Sequence, residues 1–464
     1  MSRSMEYKHK IKMLIILLLL LFCAGCSDTN VSDSQPITIE LWHVYGAQTD
    51  SPLNDLIEVF NNTVGKKEGI QVEVTMVSNN NNIHKDIIAA ANNETGAPDL
   101  PDIFVAYPKT ILAMPDDNIL VDYRDYFTEE ELSTFVQEFL DDGTVNGHLV
   151  ALPVAKSTEL MFVNKTAFDR FSEATGAKLS DLCTWEGLYD TAYKYAQWTD
   201  SLTPDVANDS KAFFVHDFHF NYFQVGVESL GEDFFDGESL AFGPAFEQIW
   251  LPYARAAISG AVWLKGGYAT EPLRTGESIV SVASSASVLY FSNEVIYADN
   301  TSENIELIVM PCPIFENGEK IVMQRGAGMC VVKSTEEREQ AAITFLKWLT
   351  EPECNTQFVI STGYMPVKQD AFSDYLPQKI DEITEAKYVE LYNAYLQTQE
   401  TYEFYTAPQM ESYLETETAF EENIRLQLQS ARKDYVAAGG TDASLLDQLI
   451  WENYQQFKDV MTNN

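Results

Sequence analysis

Apolar positions along this chain recur with two periods that alternate for most of its length. Ile37, Ile39 and Leu41 alternate with polar residues, which predicts a strand running into Trp42, His43, Val44 and Tyr45. Pro52 suits a first helical turn, and Leu53, Leu56, Ile57 and Phe60 then share one helical face. Val72, Val74 and Met76 restore the two-residue period, so strand, helix and strand follow within the length of a βαβ unit with parallel strands. The asparagines at 79–82, Asn80 among them, stand at the carboxyl end of that second strand. A helix is expected over 83–91, and 101–107 reads as a short buried strand ending in Tyr107.

The same alternation runs through the middle of the chain. Segment 147–153 is expected as one strand and 160–165 as another, while Thr184, Trp185 and Glu186 open a helix with Leu188, Ala192 and Tyr195 on one face. Segment 212–223 is a strand-like run rich in aromatics, in which His216 and His219 would not share a face as metal ligands do. Runs 279–283 and 305–310 have strand length. After Gln324 come a glycine turn and a strand over 329–332. A helix capped by Ser334 with Glu337 follows, and then a second helix, begun near Pro352 and closed by Gly363, which leaves Tyr364 on a loop. Beyond Tyr375 the pattern is helical, with no strand expected. Strands alternating with helices, then a helical tail, predict an α/β protein with two open sheets. At 464 residues, two domains are expected.

The N-terminus follows a different pattern. Arg3, Lys8, Lys10 and Lys12 precede an unbroken apolar run over 13–22, too short to span a bilayer but suited to a signal-peptide core. It ends in Cys23-Ala24-Gly25-Cys26 and a polar tether. The arrangement resembles a bacterial lipobox, with Cys23 where that motif usually has leucine, and it implies cleavage after Gly25 and lipidation of Cys26. Acyl chains on one cysteine anchor stably, because each buried methylene adds about 0.8 kcal/mol. The four remaining cysteines (Cys183, Cys312, Cys330 and Cys354) have no framework spacing and read as buried thiols.

Charge narrows the partners. Lys and Arg number 30 against 70 Asp and Glu, a formal net charge of −40. Loss of residues 1–25, which carry four basic residues and one acidic one, would take it to −43. Such a surface repels nucleic acid, so none is expected as a partner. No G-x-S-x-G, H-E-x-x-H or phosphate-loop motif occurs, and no metal or cofactor is implied.

Several local patterns coincide with one family. They are Ile39-Glu40-Leu41-Trp42-His43; Pro101-Asp102-Ile103-Phe104; Gly147 to Pro153 with Met161-Phe162-Val163-Asn164-Lys165; and Thr184-Trp185-Glu186. Thr275-Gly276-Glu277 with Ala283-Ser284-Ser285, the stretch 324–368 with Thr362-Gly363-Tyr364-Met365-Pro366, and Pro408-Gln409-Met410 complete them in order. The chain resembles the family 1 extracellular solute-binding proteins of ABC importers, which include maltose-binding and glycerol-phosphate-binding proteins. The resemblance implies a two-lobed periplasmic-binding-protein-like fold (type II), with two open sheets joined by a hinge and a helical C-terminal tail. Segment 1–25 would be the signal, 26–36 the lipidated cysteine and tether, and 37–145 the first lobe. The second lobe would hold 146–324, 325–367 would return to the first, and 368–464 would finish on the second.

Open α/β sheets bind ligands beyond the carboxyl ends of their strands, where the loops at 42–45, 79–82, Tyr107 and 156–159 fall. A sugar offers apolar ring faces edged by hydroxyls, so its site combines stacking aromatics with amides and carboxylates. Candidates are therefore Trp42, Tyr45, Asn80, Tyr107, Ser157, Glu159, Phe218, Ser285, Arg325, Gly326, Tyr364, Glu411 and Tyr413. Each aromatic also fits core packing, with Tyr364 the least suited to it. The serines at 284, 285 and 287 resemble the glycerol-phosphate branch, which uses an arginine just after the proline-glutamine pair that is here Pro408-Gln409. Glu411 stands at that place and would repel a phosphate, so a neutral carbohydrate is expected, with Arg325 as the residue that could compensate. The resemblance further implies a monomer on the outer face of the cell membrane. It would capture its ligand by hinge closure and deliver it to permease subunits driven by a separate ATPase. A surface glycoside hydrolase is the alternative class, since 70 acidic residues make paired carboxylates easy to find.

Overall fold

The two hydrophobic periods resolve into two sheets, each the centre of one lobe and each packed with helices. The computed structural model describes residues 35–45, 51–77, 80–410 and 412–463. The expected signal segment, Cys26, Asn79 and Glu411 lie outside those residues, as does the side chain of Asn80. In chain order the strands of the two sheets are β1 (Ile37–His43), β2 (Ile70–Met76), β3 (Ile103–Ala106) and β4 (Leu152–Pro153). Then follow β5 (Ser157–Asn164), β6 (Phe214–His216), β7 (Val280–Ser284) and β8 (Leu307–Pro311). The last three are β9 (Ile321–Arg325), β10 (Gly328–Val331) and β11 (Glu403–Tyr405).

The first sheet has the order β2-β1-β3-β10-β4, with β1 parallel to both β2 and β3. The parallel β1–β2 pair and its connecting helix α1 (Pro52–Asn62), which buries Leu53, Leu56, Ile57 and Phe60, follow the period read from sequence. The second sheet has the order β11-β9-β5-β7-β6, with β8 also on β5. All eight residues of β5 are buried, and this central strand carries Ser157, Thr158 and Glu159 into the interior beside its apolar run.

The chain passes between the sheets three times, after β4, after β9 and between β10 and β11, and the first two crossings are adjacent. Residues 154–156 connect β4 to β5, and Gly326-Ala327 connect β9 to β10. These two crossings touch backbone to backbone. Gly326 has φ +103°, and a Cβ there would stand 2.9 Å from the Ala155 carbonyl oxygen, so only glycine fits without strain. Lys156, itself buried, clasps the pair: its Nζ donates to the Gly326 carbonyl at 3.0 Å and pairs with Asp142 at 2.5 Å. Lys156 also exchanges backbone hydrogen bonds with Met365.

Several elements differ from expectation. Segment 147–153 is not one strand. Asn146 and Gly147 both have positive φ, as a two-residue hairpin turn requires, so Thr144–Val145 pairs back on His148–Leu149 before β4 begins. Segment 157–159 is not a loop, because β9 pairs with it through Gln324↔Thr158 and Arg325↔Ser157. The helical tail contains a strand after all: β11 runs parallel to β9, and its three residues bury only Phe404. Residues 80–82 belong to the first turn of helix α2 (Asn80–Ala91) instead of a loop. Helix α3 (Pro108–Leu112) starts directly after Tyr107. The expected helix at Thr184 forms as α4 (Trp185–Ser201), with Thr184 Oγ1 accepting from the Gly187 N–H. His219 opens helix α5 (His219–Ser229), so 212–223 is not one strand. The box at Ser334 is replaced by a cap at Thr335, one residue on, whose side chain accepts from the Arg338 N–H at the start of α7 (Glu336–Leu349), while Ser334 N–H donates to Glu339.

The tail docks through aromatic packing. Helix α6 (Pro244–Ile258) meets α10 (Tyr413–Ala437) and α11 (Ala443–Asn463), with Trp250 and Phe457 centroids 5.4 Å apart and Phe420 and Phe457 4.9 Å apart. Helix α8 (Pro352–Val359) packs on α1 and α7, and helix α9 (Ala386–Thr401) covers β8. From α10, Glu421 accepts from the Phe220 N–H at 2.8 Å and meets His219 Nδ1 at 3.0 Å, placing a carboxylate at the N-terminus of α5 where the helix dipole favours it.

Candidate functional site

The carboxyl ends of β3, β6, β7 and β9 all open toward the gap between the lobes. At these ends or within three residues of them stand Tyr107, Asp217 and Phe218, Ser284 and Ser287, and Arg325 with Gly326. An inner cavity of about 270 Å³ lies between the lobes. Tyr107, Lys109 and His84 line it from the first lobe; Phe218, Asn221, Arg325, Gln409, Tyr413 and Glu417 line it from the second. An outer cavity of about 1000 Å³ shares Lys109, Phe218, Arg325, Leu414 and Glu417 with it.

Arg325 is the centre of this arrangement. Its guanidinium lies 4.5 Å from the centroid of the Phe218 ring, a cation–π contact. Its Nη1 meets Asp217 Oδ2 at 3.1 Å and Glu159 Oε1 at 3.6 Å. Burial works against the arginine's charge, but Asp217 and Glu159 outweigh it and raise its pKa. Behind it, Glu159 accepts from Asn221 Nδ2 at 2.6 Å. Burial pushes the Glu159 carboxyl up to about 7, against the opposing pull of Arg325 and Asn221.

Lys109 and Glu417 reach toward each other from opposite lobes, 3.6 Å apart. Burial raises the Glu417 pKa despite Lys109 and Arg325. Tyr413 donates its hydroxyl to Gln224 Oε1 at 2.8 Å and sets its ring edge-on to Phe220, 5.4 Å away, so its orientation at the cavity wall is held from behind. Gln409 Nε2 donates to the Thr144 carbonyl at 2.9 Å, tying segment 407–410 to the hairpin before β4.

The other expected site residues take different places. Trp42 lies near the end of β1 and packs into the core cluster, with its Nε1 donating to Glu40 at 2.7 Å, and it lines neither cavity. Tyr45 is buried behind Tyr364, its ring edge-on to Tyr364 at 5.4 Å and to Phe358 at 5.3 Å. Tyr364 is half-buried and lines neither cavity, although its phenol lies within electrostatic reach of Tyr107, Arg325 and Tyr290. Ser157 is enclosed by the β5–β9 ladder. Ser285 is fully buried and accepts from the Thr158 N–H at 3.4 Å; its neighbours Ser284 and Ser287 line the outer cavity instead. Glu159 stands behind Arg325, and Gly326 sits on the inner wall at the crossing.

Sequence reading missed Lys109, Asn221, Leu414 and Glu417. One signal was present. Tyr413, Glu417, Glu421 and Arg425 are spaced by four and form one stripe of α10, of which Tyr413 and Glu417 face the inner cavity and Glu417, Glu421 and Arg425 the outer. His216 and His219, whose rings lie 5.1 Å apart, serve packing: His216 Nε2 meets the Tyr189 hydroxyl at 2.7 Å, and burial holds the His216 pKa well down.

Residues 56–387 match the bacterial extracellular solute-binding protein family. The chain belongs to that family. A curated relative, the arabinooligosaccharide-binding protein of Halalkalibacterium halodurans, is 22% identical over 301 residues, 63% of this chain; the chain spans 63% of that relative's length. The cyclic alpha-maltosyl-1,6-maltose binding protein from Arthrobacter globiformis shares the fold with a TM-score of 0.66 at 19% identity, over 92% of this chain and 100% of that one. UgpB from Mycobacterium tuberculosis, in complex with glycerophosphocholine, does so with a TM-score of 0.64 at 18% identity, over 93% and 99%. At these identities the likeness establishes the two-lobed fold. Family membership makes this an exported binding protein and not an enzyme. Among the described residues no helix is long and apolar enough to cross a membrane.

Proposed function

We propose that this protein captures a neutral carbohydrate between its lobes and hands it to an ABC permease served by a separate ATPase. The observation that carries the ligand class is the wall of the inner cavity. Tyr107, Phe218 and Tyr413 supply aromatic surface for sugar rings, and Asn221, Gln409 and Glu417 supply hydrogen-bonding edges. Its two strong cations are already engaged, Arg325 by Asp217 and Lys109 by Glu417, so a phosphate would find no unengaged positive charge there. The arabinooligosaccharide- and maltosyl-maltose-binding relatives are named for ligands of the same chemical class.

Ligand contacting both lobes stabilises the closed arrangement by contacts it makes only there, with the crossings at 154–156 and 326–327 as the hinge. Lipid on Cys26 would hold the protein at the outer face of the cell membrane, with 26–36 as tether, 37–145 and 325–367 as one lobe, and 146–324 and 368–464 as the other. Calorimetric titration with neutral oligosaccharides, and with glycerophosphocholine for comparison, tests the ligand class. Saturable binding of a saccharide that is recovered uncleaved is expected. Binding of glycerophosphocholine alone would overturn the neutral-carbohydrate reading, and cleaved products would overturn the transport reading.

A further inference from the structure

The outer cavity carries two aromatic side chains that the core does not use. Tyr268 is 77% exposed and Tyr290 68%, the two most exposed large hydrophobic side chains among the described residues, and both line this cavity. Neither ring stacks on another aromatic or on a cation among the described residues. Exposed apolar surface gathered at a concave site marks a place where something binds, whereas scattered exposed residues carry no such meaning. Leu414, also exposed, adds to the same wall.

Both tyrosines have firm supports. Tyr290 ends the 3₁₀ turn Ser285–Tyr290, which continues β7 and is held by buried Ser285 and Val288. Tyr268 stands two residues before the short helix Thr270–Arg274, which packs against β7. Ser284, Ser287 and Glu271 line the same cavity and offer the polar groups a ring hydroxyl needs. Phe218 and Arg325 belong to both cavities, so the outer space continues directly from the inner one. The inner cavity, about 270 Å³, is near the lower end of small-molecule sites, while the outer one, about 1000 Å³, is near the upper end.

We propose that the outer cavity is an extension of the ligand site for further sugar rings, with Tyr268 and Tyr290 as its stacking platforms, so that the protein selects neutral oligosaccharides longer than a disaccharide. This rests on the carbohydrate reading above. Stacking needs the flat apolar face of the ring and not its hydroxyl, so phenylalanine should replace either tyrosine and alanine should not.

The experiment is calorimetric titration of the mature protein with di-, tetra- and hexasaccharides of the arabino-, xylo- and malto- series. Affinity should rise with chain length. Tyr268→Ala and Tyr290→Ala should each lower hexasaccharide affinity by about fivefold to tenfold and leave disaccharide affinity unchanged, with Tyr290→Phe close to the parent. Both positions are exposed, so folding should survive, as circular dichroism would confirm. Saccharide binding that ignores chain length, or alanine variants that weaken short and long chains equally, would overturn the extension and leave the carbohydrate reading standing. Failure of every saccharide to bind the parent protein would overturn both.

Discussion

Glu159 is a carboxylate enclosed by β5, α5 and Arg325, and its ionisation couples the cleft to pH. Its folded pKa of about 7 exceeds the unfolded value of 4.5, so its contribution to stability is fully present below the unfolded value and is lost as pH rises through the folded one. Between those values the native state keeps a proton that the unfolded chain has released. Glu159→Gln should remove this dependence: from pH 5 to pH 8 the parent should lose roughly 1–3 kcal/mol of stability relative to the variant, read from denaturant titrations. Parallel pH profiles would show that Glu159 is ionised in the fold. At this scale the sequence was ambiguous for a physical reason. Trp42 and Phe218 both follow an apolar strand pattern, yet Trp42 packs inward and Phe218 faces the cleft under Arg325. A strand's period tells which residues share a face and leaves open which face meets another sheet, a helix or a ligand.

Among elements, the well-patterned ones were legible and the short ones were not. Helix α1 buries the four residues its period assigned, because eleven residues with one apolar stripe leave little choice. Strand β11 has three residues and one buried side chain, a signal too brief to separate from its helical surroundings; its partner β9 decides it. Ser334 and Thr335 are both competent caps, and the helix starts at the second. The crossing at Gly326 shows a constraint that lies wholly between elements. Gly326→Ala should destabilise by about 1–3 kcal/mol, more than Gly69→Ala, where φ is also positive (+69°) but no heavy atom lies within 4 Å of the new Cβ. Chemical denaturation of the two variants compares them directly. Equal losses would mean that the two crossings are not in tight contact.

For the molecule as a whole, two lobes with two close crossings and a cleft at their strand ends make a hinged body. Small-angle scattering on the mature protein should show a smaller radius of gyration with a saturating saccharide than without, since the ligand's differential contacts exist only in the closed form. An unchanged radius together with calorimetric binding would remove closure from the mechanism. The net charge of −40 keeps this surface away from nucleic acid but says nothing of the cleft, where Lys109, Arg325 and their carboxylates balance locally.

By itself, the sequence determined the alternation of strands and helices and the parallel β1–β2 unit; the two-lobed class came with the family that its ordered motifs resemble, and Tyr107, Phe218, Arg325 and Tyr413 were candidates alongside others that prove interior. Periodicity and short ordered motifs are properties of local stretches, which is why they can be read without the fold. Only the tertiary structure decided that Trp42 and Ser285 are interior, that Arg325 pairs with Asp217 in front of Glu159, and that Glu417 meets Lys109 across the cleft. It also decided that Tyr268 and Tyr290 remain uncovered. Those facts depend on which distant segments come together, and a side chain's charge and exposure are set by neighbours that can lie hundreds of residues away.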